Sequence, residues 1–394
     1  IMLNYSKLMN STVTEKIKPS GIRKFFDIAS NMDGVISLGV GEPDFPTPMH
    51  IRRAGIKSLE ESRTRYTSNA GLIELRKEIC AFLKRKYNLD YSGERETLVT
   101  VGGSEGIDCA ISTIVAPGDE VIIPQPSFVC YEPIVRLCGG VPVILDLKAE
   151  DEFRLTPKAL ISKLTPKTKM IVFPFPCNPT GAVMEKEDLE SIASVLRETD
   201  VFVLSDEIYS ELTYGKKHVS IASIDGMRER TVVINGFSKT YSMTGWRLGY
   251  ACAPEPVISQ MTKIHQFAIM SAPTTSQYAA TEALRTGDRD IEQMAEEYDV
   301  RRRIMVDGFR KLGMDCFEPK GAFYAFPSII IWGLGSEEFC ERLLYSQKVA
   351  LVPGNAFGES GEGFIRASYC YSSEHIKEAL ERVGKFLKEL KDGM

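Results

Sequence analysis

A lysine and an arginine lie close together in a segment whose residue types suit chemistry on a phosphate compound. Lys239 follows an apolar β-type run at residues 231–234, directly after Ser238, and Arg247 follows eight residues later. A lone lysine is usually a solvated surface residue, but a desolvated lysine loses its proton readily and can act as a base or nucleophile. Ser238 and the planar fork of Arg247 suit a phosphate group. The segment therefore predicts a reactive lysine beside a phosphate site.

A glycine turn offers a second phosphate contact. Gly102 and Gly103 separate a β-type run at 97–101 from a helical pattern at 104–115. Glycine lets the backbone approach a ligand closely, and the free N–H groups of a helix N-terminus attract phosphate. A plain tight turn explains the same pattern, so both interpretations remain open.

Two more polar residues follow strand-like runs. Asn178 opens the turn sequence NPTG after residues 170–173, and Asp206 follows residues 201–204. A carboxylate behind a buried strand is costly unless it is paired, so Asp206 either caps a helix or meets a protonated ring nitrogen. Asn178 either forms a turn or donates to a ring oxygen.

The order of the predicted elements indicates how these segments meet. Between about residue 48 and residue 280, short apolar runs alternate with helical patterns such as 72–86 and 187–198. This alternation is typical of an α/β fold whose mainly parallel sheet is covered on both faces. Ligands of such sheets bind at the carboxyl ends of the strands, so we expect the polar segments at one edge.

The last hundred residues have a different pattern, which predicts a smaller α+β domain. The predicted elements are helices at 290–312, 336–346 and 373–391 and strands at 321–327, 349–353 and 363–367. We expect three regions: an N-terminal arm at 1–47, a large domain at 48–285 and a small C-terminal domain at 286–394. The arm is predicted to contain a short helix at 22–29 and a strand at 35–38. It should contribute to the small domain and to dimer contacts.

Composition excludes several classes of protein. The chain has 394 residues and a formal net charge of -5, which disfavours binding to nucleic acid or to an anionic membrane through bulk charge. Its four histidines show no metal-ligand spacing, so we expect no metal site. The nine cysteines form no CxxC pair, and no apolar run is long enough to cross a bilayer. We therefore expect a cytoplasmic protein.

Five motifs occur in a fixed order along the chain: GEPDF, NPTG, SDEIY, FSK and TGWRLGY. Together they resemble the fold-type I pyridoxal-phosphate aminotransferases of class I/II, and within these the bacterial aspartate/alanine branch. The resemblance extends from residue 22 to the C-terminal helix. It implies a large domain with a mainly parallel, seven-stranded-type sheet between helices, pyridoxal 5'-phosphate as cofactor, and a homodimer with shared active sites.

The resemblance also implies roles around the cofactor ring. Lys239 matches the lysine that holds the cofactor as a Schiff base, and Asp206 matches the partner of the pyridine nitrogen. Asn178 and Tyr209 match residues that bond the ring's phenolic oxygen. Phe128 occupies the position of the aromatic residue stacked on the ring, where many members carry Trp or Tyr; a core aromatic is the alternative.

Further positions match phosphate and substrate contacts of the family. The phosphate contacts are the backbone of Gly103, Ser104 and Glu105 together with the side chains of Ser238 and Arg247. Some relatives carry a lysine where Ser104 stands.

Three other matches involve the second subunit and the substrate. Tyr66 matches a tyrosine that reaches the phosphate of the other subunit, although an ordinary loop tyrosine is the alternative. Arg366 matches the arginine that grips the substrate α-carboxylate. Gly41 matches a backbone contact to the substrate, although a turn glycine explains it equally well.

The implied reaction is a ping-pong transfer from an L-amino acid to a 2-oxo acid. From the branch resemblance we favour aspartate or alanine as donor and 2-oxoglutarate as acceptor, but no residue that reads the substrate side chain is identified. A carbon–sulfur β-lyase on the same fold would share Lys239, Asp206 and Arg366. A non-catalytic amino-acid sensor would carry a DNA-binding segment, and the arm and the acidic charge argue against it.

Overall fold

The computed structural model describes Thr14, Ile17 and residues 32–393. The helix predicted at 22–29 therefore lies outside the described residues. Within the described part, no helix combines the length and the apolar character needed to span a membrane.

Helices and strands alternate through most of the chain. The elements up to residue 206 are β1 (Ile36–Ser37), α1 (Met49–Glu60), α2 (Ile73–Tyr87), β2 (Thr97–Thr100), α3 (Gly102–Ile114), β3 (Glu120–Gln125), α4 (Tyr131–Leu137), β4 (Val141–Asp146), α5 (Pro157–Ile161), β5 (Thr168–Phe173), α6 (Lys186–Arg197) and β6 (Phe202–Asp206). The elements after it are β7 (Thr231–Gly236), β8 (Gly249–Cys252), α7 (Glu255–Ala268), α8 (Thr274–Thr286), α9 (Asp288–Lys311), β9 (Tyr324–Ala325), α10 (Ser336–Gln347), β10 (Val349–Ala350), β11 (Val352–Pro353), β12 (Ile365–Ser368) and α11 (Ser373–Asp392).

A seven-stranded sheet forms the centre of the large region, in the order β2-β8-β7-β6-β5-β3-β4. Strands β7, β6, β5, β3 and β4 pair in parallel, and β8 is antiparallel to both of its neighbours. The prediction of an α/β fold with a mainly parallel sheet is confirmed. The reversal of β8 was not predicted, and it matters because the start of β8 lies at the edge where the parallel strands end.

Strand β7 shows why this sheet needs helices on both faces. All six of its residues are buried. Val232 and Ile234 join an apolar cluster with residues of α3 and α7, whereas Val233 joins a separate cluster with residues of α2 and α8. Alternate side chains of a strand point to opposite faces, so both faces of β7 are covered by helices.

The C-terminal region forms a second core built on short strands. Strands β11, β12 and β9 form an antiparallel sheet, and β1 pairs in parallel with β10. Side chains of β1, α9, α10 and α11 pack together in this core, represented by Ile36, Phe309, Leu343 and Leu387. The segment that carries β1 therefore packs with the C-terminal region, although it precedes the large region in the chain.

Two strand predictions in this region were wrong in extent. The run 349–353 is two strands in different sheets: β10 pairs with β1, and β11 pairs with β12. The run 321–327 contains only β9 as a regular strand. Short runs of apolar residues satisfy the pattern of a longer strand, but the backbone changes its pairing partner within them.

Candidate active site

The edge of the large sheet and the small C-terminal region enclose a cavity of about 290 Å³. Parallel strands end together at this edge, so residues that are distant in sequence meet there. The cavity wall includes these predicted residues: Gly41, Gly103, Ser104, Phe128, Asn178, Asp206, Tyr209, Ser238, Lys239, Arg247 and Arg366.

Lys239 lies at the centre of this group, in the turn after β7. Its Nζ donates a hydrogen bond of 2.8 Å to the carbonyl of Gly41. The pKa of Lys239 is lowered from 10.5 to about 8. Burial is the main cause; Cys370 and Glu42 oppose it, and the charges of Arg366 and Arg247 add to it. A lysine amine with this pKa is partly unprotonated near neutral pH and can act as a base or nucleophile.

Asp206 is the last residue of β6 and is buried. Its carboxylate accepts a hydrogen bond of 2.6 Å from the hydroxyl of Tyr131 and one of 3.3 Å from the backbone N–H of Ile208. Burial raises the pKa of Asp206, and no lysine, arginine or histidine of the described chain is among the groups that shift it. A buried carboxylate without a cation fits a ligand that brings a positive N–H group.

Arg366, on β12, is only 3 % exposed, and it bounds the opposite side of the cavity. Nη1 donates to Oδ1 of Asn178 at 2.8 Å, Nη2 donates to the carbonyl of Gly39, and the guanidinium lies 4.4 Å from the ring centre of Tyr324. Its Nε has no hydrogen-bond partner among the described residues, and burial lowers the pKa of the group. A buried guanidinium without a carboxylate partner in the described chain is suited to hold the carboxylate of a ligand.

The glycine turn lies at the start of α3, which begins at Gly102. Gly102 has a φ of +72°, and a Cβ there would lie 2.6 Å from Nη2 of Arg247. Because β8 is reversed, Arg247 just before it reaches the same edge as Gly102 just after β2. The N–H groups of the helix start, the cation of Arg247 and the nearby hydroxyl of Ser238 form a cradle that fits a phosphate.

Aromatic side chains form much of the remaining wall. The hydroxyls of Tyr209 and Tyr324 are hydrogen-bonded at 2.9 Å, and the rings of Phe128 and Tyr131 meet edge to face with centroids 6.2 Å apart. All four side chains line the cavity that also contains Asp206. The wall is suited to a planar ring.

Seven wall residues were not predicted: Ile107, Tyr131, Pro174, Pro176, Ile208, Thr244 and Tyr324. Tyr131, the first residue of α4, lies three residues after Phe128, and Ile208 lies between two predicted residues. Spacing was thus an available signal for these two. Tyr324 lies in the C-terminal region, and no local pattern connects it with this cavity.

Two predicted residues are not part of the cavity wall. The side chain of Glu105 turns away to the backbone N–H of Val101 and to His265. Tyr66 is 80 % exposed. Its loop is nevertheless fixed to α8, because the hydroxyl of Thr274 donates to the carbonyl of Arg65 at 2.8 Å. Tyr66 therefore lies on the surface of its own chain, outside the cavity.

Comparison with known proteins identifies relatives along nearly the whole chain. The family model described as aminotransferase class I and II matches residues 33–383. A Bacillus subtilis protein, YugH, is 52% identical over 96% of this chain and 98% of its own length. The aspartate aminotransferase of Pyrococcus abyssi is 46% identical over 95% of this chain and 97% of its own. The crystal structure of an aromatic aminotransferase from Pyrococcus horikoshii superposes with a TM-score of 0.89, at 43% identity, over 94% of this chain and 99% of that one.

Proposed function

Because this chain belongs to the class I and II aminotransferases and depends on pyridoxal 5'-phosphate, we propose that it moves the amino group of an L-amino acid to a 2-oxo acid such as 2-oxoglutarate. The observation that carries the proposal is the buried amine of Lys239, with its pKa lowered to about 8, in one cavity with Asp206 and Arg366. The amine of Lys239 suits proton transfer, the carboxylate of Asp206 suits a ring nitrogen, and the guanidinium of Arg366 suits a substrate carboxylate.

The proposed cofactor contacts follow from the chemistry of the cavity wall. Asp206 pairs with the ring nitrogen, since its carboxylate is buried without a cation. Asn178 and Tyr209 bond the ring oxygen, and Phe128 covers one face of the ring. The backbone of residues 103–105, Ser238 and Arg247 hold the phosphate. The unpaired carboxylate and the glycine turn beside Arg247 support this assignment.

Lys239 and Arg366 have the two remaining roles, which are proton transfer and binding of the substrate carboxylate. When bound, pyridoxal phosphate supplies an electron-poor ring that accepts the electron pair left at the substrate α-carbon. Lys239 Nζ would remove the proton from the α-carbon of the donor and pass it to the bound cofactor, and in the second half-reaction it would carry a proton in the opposite direction, to the α-carbon of the acceptor. The first transfer requires the amine in its free form. Arg366 holds the substrate carboxylate, so that the α-carbon lies near Nζ.

Arg366 also accounts for the proposed order of substrates. The donor amino acid and the acceptor 2-oxo acid share a carboxylate next to the reacting carbon. One buried guanidinium binds one such carboxylate at a time, so the first product leaves before the second substrate enters. This is the ping-pong scheme.

For the donor we propose aspartate or alanine, with 2-oxoglutarate as acceptor. The name of the Pyrococcus abyssi relative supports aspartate. An aromatic amino acid is the second candidate, because the lysines and arginines that line the described cavity are Lys239, Arg247 and Arg366, each with a role already. The wall beside them is apolar and aromatic, with Ile107, Phe128 and Tyr324.

The test is an amino-donor panel with 2-oxoglutarate, containing aspartate, alanine, tyrosine and phenylalanine. Turnover with at least one donor is expected, with parallel lines in double-reciprocal plots. Absence of turnover with every donor in a protein that binds the cofactor would contradict transamination. Pyruvate and ammonia formed from cysteine or cystathionine without any 2-oxo acid would instead indicate a β-lyase.

Lys239 is tested on the same preparation. Borohydride reduction should fix the cofactor on the peptide that contains Lys239, and Lys239→Ala should lower kcat by about 10⁴-fold, the upper range for loss of a general base. Lys217→Ala, which removes an exposed lysine, is the control. Covalent labelling that survives Lys239→Ala would show that another lysine holds the cofactor.

We also propose a homodimer in which Tyr66 contacts the phosphate of the other subunit, supported by its exposure on a braced loop. The division into an arm at 1–47 and domains at 48–285 and 286–394 remains a proposal, supported by the two separate cores. A cytoplasmic location is likewise proposed, supported by nine cysteines that are all free thiols.

A further inference from the structure

A buried histidine stands directly behind the proposed phosphate cradle. His265, on α7, is fully buried, and its Nδ1 lies 2.7 Å from Oε1 of Glu105 in the first turn of α3. A carboxylate only accepts hydrogen bonds, so the hydrogen between them belongs to Nδ1. His265 Nε2 is buried without a hydrogen-bond partner among the described residues. The ring thus has one polar contact, and that contact is Glu105.

Glu105 connects this histidine to the glycine turn. Its second oxygen accepts the backbone N–H of Val101, the residue before α3. Val101 is the N-cap residue of α3, and its apolar side chain cannot accept a hydrogen bond from the helix start. Glu105, inside the helix, instead accepts the backbone N–H of Val101. His265 and Val101 together use both oxygens of the carboxylate. The carboxylate is therefore held on the side of the turn that faces away from the cavity.

The turn is clamped from its other side by β8. A Cβ on Gly249 would lie 2.6 Å from the carbonyl carbon of Gly102 and from the nitrogen of Gly103. The hydroxyl of Thr100 donates to the carbonyl of Gly102 at 2.8 Å. The N–H groups that face the cradle are thus positioned between β8 and the Glu105–His265 pair.

The charge of Glu105 makes its fixed position important. A carboxylate is attracted to a helix N-terminus for the same reason as a phosphate, because both are anions at the positive end of the helix dipole. Released from His265, Glu105 can swing toward the free N–H groups and compete with the ligand. Fixed to His265, it supports the turn without occupying it.

We propose that His265 is a positioning residue for the cofactor phosphate and acts through Glu105. The inference rests on the proposed phosphate cradle. A residue with this role affects ligands that carry a phosphate and leaves ligands without one unaffected. A residue that only stabilises the fold affects both alike.

The test compares two ligands of the apoprotein prepared from the dimeric holoenzyme: pyridoxal phosphate and pyridoxal, which lacks the phosphate. His265→Leu fills the space without a hydrogen-bond donor. In this variant the dissociation constant for pyridoxal phosphate should rise about tenfold, as when a residue that supports a metal ligand is lost. The constant for pyridoxal should not change. His265→Asn places an amide N–H near the position of Nδ1 and should restore most of the affinity.

The chain offers a matched control in its other buried histidine–glutamate pair. His218 Nε2 lies 2.9 Å from Glu207 Oε2, away from the glycine turn. His218→Leu removes a comparable buried contact, so it should leave the ratio of the two dissociation constants as in the wild type. If His265→Leu does not fold, His265→Met, which also lacks a ring donor and leaves the carboxylate of Glu105 in place, carries the test with the same expected result.

Two results would overturn the inference. One is an unchanged affinity of His265→Leu for pyridoxal phosphate, and the other is an equal loss for both ligands. Failure of the wild type to bind pyridoxal phosphate is a different result and contradicts the proposed function itself. The two failures are therefore separable in one titration series.

Discussion

The two arginines of the cavity differ in almost every physical respect. Arg366 is buried on β12, bonded to Asn178 and to the carbonyl of Gly39, and has one nitrogen without a partner among the described residues. Arg247 is exposed just before β8, in a left-handed conformation with φ of +50°, and donates to the carbonyl of Thr244 at 3.0 Å. In the described chain, neither forms an ion pair with a carboxylate.

This difference indicates two ways of binding an anion. At the buried end one desolvated guanidinium carries the whole interaction, so its loss leaves the anion without a substitute. At the exposed end the cation shares the anion with helix N–H groups and with Ser238, and solvent weakens each contact. We therefore expect unequal effects when each end is altered.

The largest effect is expected at the buried end. Replacing Arg366 with Leu should lower kcat/KM by about 30- to 5,000-fold for donor and acceptor alike, from the roughly 2–5 kcal/mol that loss of one member of a buried charged contact costs. Arg366→Lys should recover only part of this, because an ammonium lacks the bidentate fork. Steady-state kinetics with both substrates provide the measurement.

Affinity for pyridoxal phosphate is the internal control for that variant. Arg366 contacts the proposed substrate and not the phosphate cradle. Its one link to the cofactor is the bond to Asn178, so cofactor affinity should fall by far less than kcat/KM. A variant that loses the cofactor together with activity would mean that the two ends are not separate.

Lys239 lies in the same cavity as both arginines. Burial is the largest cause of its lowered pKa, and Arg366 and Arg247 also lower it. The folded chain loses the lysine proton near pH 8, whereas the unfolded chain keeps it to about pH 10.5. Between these values the unfolded state binds more protons, so the free energy of unfolding of the apoprotein rises with pH. The difference between the two pKa values corresponds to about 3 kcal/mol of unfolding free energy.

Replacing Lys239 with Met removes this cost. The apoprotein should gain about 3 kcal/mol at pH 7, and the gain should shrink between pH 8 and 10.5. Denaturant unfolding at several pH values measures it. Lys217→Met is the control for loss of one positive charge at an exposed site. An equal gain for both variants at every pH would refute the burial argument.

The same comparison shows what the sequence can predict. The buried strands, the α/β class and most helix bounds follow from apolar periodicity, since long patterned segments leave few alternatives. The motifs also placed Lys239, Asp206 and Asn178 in one cavity, because parallel strands end at one edge. Arg366 was found through its match to the arginine that binds the substrate carboxylate in the family.

Other features depend on packing that no local pattern encodes. Because β8 is antiparallel, its first residues and not its last lie at the edge with the cavity, and this brings Arg247 there. The sequence does not predict this, because an apolar run has the same pattern in either strand direction. Tyr324 and His265 contact the site across long distances in sequence. The break between β10 and β11 arises because one backbone changes partners, which periodicity does not show.

A smaller effect is expected at the exposed end. Arg247→Gln should raise the dissociation constant for pyridoxal phosphate by about 10- to 100-fold, since hydrogen bonds to charged groups contribute about 1.5–3 kcal/mol. In the wild type, added salt should weaken binding through this exposed cation, and the variant should be less sensitive to salt. Equilibrium titration at low and high ionic strength makes the measurement. Equal salt dependence in both proteins would mean that Arg247 does not meet the phosphate.

The smallest effect belongs to Tyr66, which extends the exposed end into the partner subunit in our proposal. Tyr66→Phe should raise the dissociation constant for pyridoxal phosphate by about 3- to 10-fold, the usual cost of one hydrogen bond. Mixing this variant with Lys239→Ala identifies which chain the tyrosine serves. If Tyr66 acts across the dimer, each mixed dimer regains one site with native Lys239 and native Tyr66, and cofactor affinity at that site returns to the wild-type value. If it acts within its own chain, no mixed dimer contains such a site, and mixing restores nothing.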